Sequence, residues 1–342
     1  MVAIANFFRL MWQLFFVLLF PLTLSAQSKR FEFSQNKMGS PFNLTFFHTD
    51  STEACALAKE CFSIVDSLNT IFSDYTAESE VGKLALQTPT TPLKVSAELF
   101  EMIIRSKNAW EKSGKTFDIT IGALTQLWRK VKGENRFPTA TEIRTAKQAS
   151  GFENLVINNQ ENKISFKKKG VRLDFGGIVP GYAAQRVIDF LKSKNIPVAL
   201  ADASGDIVMG DAPPGKNGWT IGINLPENEN EIWDKKLELK NEAVSTSGDL
   251  YRYILHNGKK YSHIIDPRTG YGVTSQRNVT VVARNGATAD WLATACSILP
   301  VKKALSLAKK ENAALLIAVI KNEKIVTYKT KNFDSYIQKK LP

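Results

Sequence analysis

The chain has 342 residues, 44% hydrophobic and 23% charged, which is enough to bury a sizeable core and excludes a disordered or collagen-like chain. Lys and Arg outnumber Asp and Glu by 45 to 33, giving a formal charge of +12 and a pI near 9.4, a balance suited to anionic ligands or an anionic surface. Three cysteines exclude a disulfide-rich scaffold and any multi-cysteine zinc or iron–sulfur site.

Residues 1–26 carry one charged side chain, Arg9, then an apolar stretch from Leu10 to Phe20 broken by Gln13, then Pro21 and small residues up to Ser25-Ala26-Gln27. That apolar core is shorter than the roughly 20 residues that span a bilayer. The segment therefore reads as a secretory signal cut near Ala26, with an uncleaved N-terminal anchor as the alternative. Residues 27–342 are expected to form the functional domain, exported to the periplasm or held at the inner membrane by that segment.

From Asp50 to Phe72, Ala54, Leu57, Ala58, Cys61, Ile64, Val65, Leu68 and Phe72 recur at helical spacing behind an Asp50/Glu53 capping-box pattern. Cys55 and Cys61 lie on this helix roughly 9 Å apart along its axis, too far for a bridge, and both are expected in the core. A second helix follows Ser96, with Leu99, Met102, Ile103 and Trp110 on or near its buried side. Short strands then dominate: Leu155–Ile157, Ile164–Phe166, Val171–Phe175, Val198–Ala201, Trp219–Asn224 and Asn278–Ala283. Helices interrupt them at about 181–193, 288–298 and 301–311. Tyr251–His256 and Lys259–Ile265 alternate around Asn257-Gly258, a strong hairpin signal. The expected fold is α+β, with largely antiparallel sheets and packed helices. Lys167-Lys168-Lys169 and Lys339-Lys340 read as solvated turn and terminus, and no nucleic-acid-binding motif accompanies them.

Three places carry chemistry. The run Leu173-Asp174-Phe175-Gly176-Gly177-Ile178-Val179-Pro180-Gly181-Tyr182 leaves a strand, turns on two glycines and enters a helix with Pro180 in its first turn. Such a turn suits either close approach to a phosphate or a plain connection, with Asp174 as ligand or cap. With Thr288 as N-cap, Asp290 falls in a first helical turn and Thr294 one turn later on the same face. These are hard oxygen ligands suited to Mg²⁺; equally, Asp290 could serve the helix dipole while Thr294 bonds back to its carbonyl. The third place is His263. A symmetric Asn257-Gly258 turn pairs it with Arg252, a cation that favours the neutral imidazole needed by a base. His48 ends a strand-like run and His256 is expected to be exposed beside the turn, so neither has a chemical context.

In chain order, MGS (Met38–Ser40), FSDYTAESEVGKL (Phe72–Leu84), TFDITIGAL (Thr116–Leu124), LDFGGIVPGYA (Leu173–Ala183), SGDI (Ser204–Ile207), STSGDLYR (Ser245–Arg252), SHIIDPRTG (Ser262–Gly270) and ATADWLAT (Ala287–Thr294) together resemble the ApbE family of FAD:protein FMN transferases. The resemblance implies an ApbE-like fold and Mg²⁺-dependent transfer of FMN from FAD to a Thr or Ser hydroxyl of a target flavoprotein, with release of AMP. An example of such a target is a subunit of a sodium-pumping NADH:quinone oxidoreductase or related complex. It further implies metal binding by Asp290, Thr294 and the Gly177 carbonyl. FAD contacts would come from Met38, Tyr75, Thr116, Phe117, Asp118, Asp174, Pro180 and Ile265, with His263 as the base. Pro180 stands where the family commonly has a lysine, Ala203-Ser204-Gly205-Asp206 replaces paired glycines, and Ala293 occupies a site acidic in some relatives. The alternatives are an FAD pyrophosphatase yielding FMN and AMP, and a non-catalytic FAD-binding protein.

Overall fold

The computed structural model describes residues 28–223, 235–248, 253–321 and 324–339. The signal-like segment 1–26, Asp249, Arg252 and the end of the expected strand at Asn224 lie outside the described residues. Strands β1 (Lys29–Lys37) and β2 (Ser40–His48) open the fold, followed by helices α1 (Ser51–Phe72) and α2 (Glu80–Ala85), strand β3 (Leu93–Lys94), and helices α3 (Ala97–Lys112), α4 (Gly122–Gly133) and α5 (Ala140–Gln148). Next come β4 (Leu155–Asn158), β5 (Lys163–Phe166), α6 (Val179–Ser193), β6 (Ala199–Ala203), β7 (Asp206–Met209), β8 (Trp219–Ile221), β9 (Leu237–Leu239) and β10 (Ala243–Gly248). The last elements are β11 (Tyr253–His256), β12 (Lys259–Ser262), β13 (Arg277–Ala283), α7 (Gly286–Ile298), α8 (Val301–Lys310), β14 (Ala314–Lys321) and β15 (Lys324–Lys329). Among the described residues no helix is long and apolar enough to cross a membrane.

The main sheet runs β1-β2-β6-β7-β10-β13-β14-β15, and each pairing in it is antiparallel, as the α+β expectation requires. It is buried on both faces, so its central strands divide their apolar residues by the two-residue period. Val279, Val281, Leu315 and Ile317 point into the helical layer of α1, α6 and α7, while Val282, Ala314 and Leu316 meet Trp219, Leu237, Leu239 and Phe333 on the other side. Helix α7 is apolar almost all round because it lies between the sheet and its neighbouring helices. A smaller core of Leu124, Trp128, Ile143 and Ile265 joins α4 and α5 to the β11–β12 hairpin. Trp128 Nε1 donates to the Gly270 carbonyl at 2.9 Å and pins the turn that follows that hairpin.

Several expectations change. Cys61 is buried but Cys55 is exposed, because it falls on the outer face of α1. Asp50 caps α1 by accepting from the Glu53 N–H at 2.8 Å, yet its own N–H goes to His48 Nδ1, so the capping box is half made. Val171–Phe175 forms no strand: one bridge from Arg172 to Ile121 and one bond from Asp174 N to Ile119 O replace a ladder. His256 is half-buried, its ring stacked on Phe137 at 3.9 Å. Asn285, not Thr288, caps α7 by accepting from Thr288 N at 2.9 Å, which moves Asp290 into the second turn. The hairpin register is the symmetric one expected, with Tyr253 opposite Ser262 and His256 opposite Lys259.

Helices α6 and α7 touch backbone to backbone at Gly181 and Gly286, where a Cβ on either would overlap the other's carbonyl oxygen. Gly181→Ala should therefore destabilise the protein by about 3 kcal/mol, whereas Gly133→Ala, at a helical position with open space, should add about 0.5 kcal/mol. Urea unfolding of both variants checks the contrast; equal midpoints would refute it.

Asp118 is buried, its Oδ1 accepting from Thr120 N at 2.8 Å and Thr120 Oγ1 at 2.6 Å, while Thr120 Oγ1 accepts from Gly151 N at 2.8 Å. Burial pushes its pKa from 3.8 up to about 6. The fold thus favours the protonated acid, and that contribution is complete below pH 3.8 and lost as pH rises through about 6. Asp118→Asn keeps the acceptor oxygen and cannot ionise. Its melting temperature, measured without ligand, should gain on wild type as pH rises from 4 to 7; a constant difference would count against the shift.

Candidate active site

The site grows from the turn between Leu173 and α6. Asp174 is anchored by its own N–H, bonded to Ile119 O at 2.7 Å, and its Oδ1 accepts from Gly176 N at 2.8 Å, bending the chain into the glycine pair. Pro180, in the first turn of α6, removes an N–H that would have no helical partner. The next N–H, from Gly181, donates to Asp290 Oδ2 at 3.1 Å. A carboxylate of α7 thus satisfies an orphan donor of α6.

Gly177 faces α7 one turn further along. A Cβ there would lie 2.8 Å from Thr294 Oγ1 and 3.4 Å from the Phe117 ring, so only glycine lets this backbone approach Thr294. Among the described residues neither the Gly177 carbonyl nor the Thr294 hydroxyl has a hydrogen-bond partner in the protein. Ser297, by contrast, donates back to Ala293 O at 2.9 Å. The bland readings therefore lose ground: Thr294 does not bond back along its helix, and Asp290 in the second turn serves α6 rather than its own dipole.

Asp290 is 3% exposed, and burial, with a neighbouring carboxylate at Asp206, holds its pKa well above the usual range. Asp206 is half-buried as a residue, but the protein packed round its carboxyl pushes its pKa up to about 7; Ser245 Oγ donates to it at 2.5 Å and the Asp202 charge opposes its ionisation. A buried carboxylate beside a second carboxyl, an unpartnered hydroxyl and an unpartnered carbonyl form a set of hard oxygen donors that fits a divalent cation. No three His, Cys, Asp or Glu side chains converge among the described residues, so the candidate set is necessarily mixed.

Other expected residues surround this cluster. Thr116 Oγ1 donates to Ser113 O at 3.0 Å and Phe117 N to Ser113 Oγ at 3.1 Å, fixing a loop whose Phe117 ring lies between Gly177 and Trp291. Tyr75 and Asp174 meet through Arg129, which touches both. Met38, with φ 50°, sits on the β1–β2 turn at the same sheet end as Ser204, whose hydroxyl donates to Pro41 O at 2.8 Å.

His263 and Ile265 belong to a separate layer. His263 is exposed just beyond β12, and Ile265 is 2% exposed within the α4–α5 core. Backbone bonds from Ser262 N and to Ile264 O, both with Val273 at 2.9 Å, define this second hairpin. Arg252, expected opposite His263, lies outside the described residues. The link to the donor cluster runs through α4, whose first residues bond to Arg172, two positions before Asp174. Sequence reasoning missed Asp206 as the second carboxyl, although SGDI contained it, and Arg129, although Leu124, Trp128 and Val131 recur at helical spacing on its helix.

Comparison with known proteins agrees with this architecture. A model of the ApbE family matches residues 38–317. An FAD:protein FMN transferase of Klebsiella pneumoniae is 27% identical over 303 residues, covering 88% of this chain and 92% of that protein. One from Vibrio cholerae is 26% identical over 309 residues, covering 88% and 91%. Among solved structures, the ApbE protein of Thermotoga maritima aligns with TM-score 0.81 at 27% identity, covering 91% of this chain and 100% of that one. The flavinyl transferase ApbE of Pseudomonas stutzeri aligns with TM-score 0.78 at 27% identity, covering 91% and 97%. The family match takes in most of the sequence, from the turn at Met38 to the middle of β14, and the chain belongs to the ApbE family.

Proposed function

We propose that this protein is an FAD:protein FMN transferase, moving FMN from FAD to a Thr or Ser hydroxyl of a partner flavoprotein and releasing AMP. The observation that carries the reading is the junction of α6 and α7, where the buried Asp290 carboxylate accepts from Gly181 N and Thr294 lies against the Gly177 backbone. Family membership and the names of its relatives support it. Residues 1–26, with their apolar stretch from Leu10 to Phe20, support placing the enzyme in the periplasm or at the inner membrane.

Asp290, Thr294 and the Gly177 carbonyl would hold Mg²⁺. When bound, the ion supplies charge neutralisation on the FAD diphosphate and on the departing AMP. The acceptor oxygen forms a bond to the FMN-side phosphorus as the bond to the AMP oxygen breaks, and the acceptor proton passes to His263. Thr116, Phe117, Asp118, Asp174 and Pro180 border the same turn and would orient the dinucleotide beside the donors. Exposure of His263 suits a base that must meet a hydroxyl arriving on another protein. The positive net charge favours capture of the anionic diphosphate.

Asp290→Asn keeps an acceptor oxygen for Gly181 N but removes the anionic ligand. Mg²⁺-dependent labelling of a flavin-carrier domain should fall about 100-fold or more while the metal-free protein melts no lower. Labelling at the wild-type rate would overturn the metal assignment. His263→Ala should bind FAD as before and lose about 10²–10⁴-fold in transfer rate. Wild-type transfer across pH would assign the base elsewhere. In the same assay, FMN and AMP released regardless of carrier would favour a pyrophosphatase, and FAD retained intact with Mg²⁺ a binding protein.

A further inference from the structure

Arg129 occupies the junction of two residues assigned to flavin contact. Its guanidinium carbon lies 4.5 Å from the centre of the Tyr75 ring. One edge makes a bidentate pair with Asp74, the residue before Tyr75, with Nη1 3.2 Å from Oδ1. Nη2 also reaches Asp174 Oδ2 at 3.3 Å and Thr125 Oγ1 at 3.2 Å. The Asp174 carboxylate is thereby gripped on both oxygens, since Oδ1 accepts from Gly176 N.

Tyr75 itself is 77% exposed, an unusual state for a large ring. One face rests on the guanidinium and its loop borders a cavity of about 300 Å³ that also touches Leu86, Gln126, Arg172 and Leu173. A planar cation stacked on an aromatic face and forked onto a carboxylate is the arrangement that arginine makes and lysine does not. A ring immobilised in this way has already lost the freedom that stacking would otherwise remove, so its outer face is preorganised. From Asp174 the chain needs only three residues to reach Gly177, which ties this platform to the oxygen-donor cluster.

We propose that Arg129 is a positioning residue that holds the Tyr75 ring and the Asp174 carboxylate in register. A planar ring of FAD then stacks on the outer face of Tyr75 while the diphosphate lies at the Gly177–Thr294 turn. This rests on the transferase reading.

The test titrates the full-length protein, with Mg²⁺, against FAD, FMN and AMP, following flavin fluorescence and heat of binding. Arg129→Met and Arg129→Lys should each weaken FAD binding about tenfold or more and reduce the quenching of bound flavin. The loss should recur with one half of the dinucleotide: with FMN if the isoalloxazine stacks, with AMP if the adenine does. Tyr75→Ala, on the exposed surface, should give the same loss, and the Tyr75→Ala/Arg129→Met pair should lose little more than either alone. Wild-type affinity in Arg129→Lys would reduce Arg129 to a charge and overturn the proposal. Unchanged FAD affinity in Tyr75→Ala would overturn it even if the Arg129 variants fail to fold. A wild-type protein that binds no FAD would overturn the transferase reading and this inference with it, whereas wild-type binding with unaltered variants overturns this inference alone.

Discussion

The site depends on a single steric fact: two glycines let the first turns of α6 and α7 meet without side chains between them. With Gly181 and Gly286 in contact, the Gly181 N–H reaches Asp290, and the glycine turn preceding α6 comes to lie against Thr294. Any Cβ at the crossing separates the helices and opens the space between carboxylate, hydroxyl and carbonyl together. The sheet fixes the rest. Asp206 opens β7 directly opposite Ser245 of β10, so the second carboxyl and its hydrogen-bond donor are set by strand register. Precision at the oxygen donors is therefore inherited from rigid elements rather than from a flexible loop.

That precision is held against an electrostatic penalty. Burial raises the pKa of both carboxyls, with the Asp206 charge adding to the rise at Asp290 and the Asp202 charge to that at Asp206, so the fold favours their protonated forms. Each nonetheless keeps a hydrogen bond that an apolar side chain would forfeit, Asp290 from Gly181 N and Asp206 from Ser245 Oγ. Thr294, half-exposed, does not make the back-bond that Ser297 makes on the same helix.

How much of this was legible depends on whether a residue's neighbours are local. Helices α1, α3, α6 and α8 bury one stripe and so announce themselves by period, and Asn257-Gly258, both with positive φ, fixes the hairpin register. Strand β1 is an edge strand with few buried residues and α5 buries only Ile143, which leaves little periodic signal, whereas Leu124, Trp128 and Val131 of α4 recur at helical spacing and were legible. Val171–Phe175 reads as a strand from its apolar residues but runs as an extended connection with two backbone bonds, to Ile119 O and from Gly122 N, and no ladder. Asp290 and Thr294 were legible as a carboxylate and a hydroxyl on one helix face, while Gly177 entered as a candidate ligand only through the family resemblance. What joins them was not: the glycine crossing, the Asp206 carboxyl beside Asp290 and the Arg129 bridge are all contacts between elements distant in sequence. Spacing along the chain holds no record of such contacts.

Under the proposed reaction, His263 on its hairpin and the oxygen donors where α6 meets α7 would serve different substrates of a transferase. A diphosphate held beside the buried Asp290 would gain from a partly dry setting in which charge stabilisation is stronger than in water. A hydroxyl on a second protein has to arrive from solvent, and its base must stand where a macromolecule can approach. The fold has the buried Asp290 and the half-exposed Gly177 and Thr294 where α6 meets α7, and an exposed imidazole on a hairpin anchored to α4 by Ile265 and by the Trp128–Gly270 bond. Because water reaches the exposed layer as readily as a partner does, selectivity for the protein hydroxyl cannot reside in the base. With His263 as the proposed base, it would come from how the partner's surface orders its hydroxyl in line with the phosphorus, so that docking of the acceptor would be part of the chemistry.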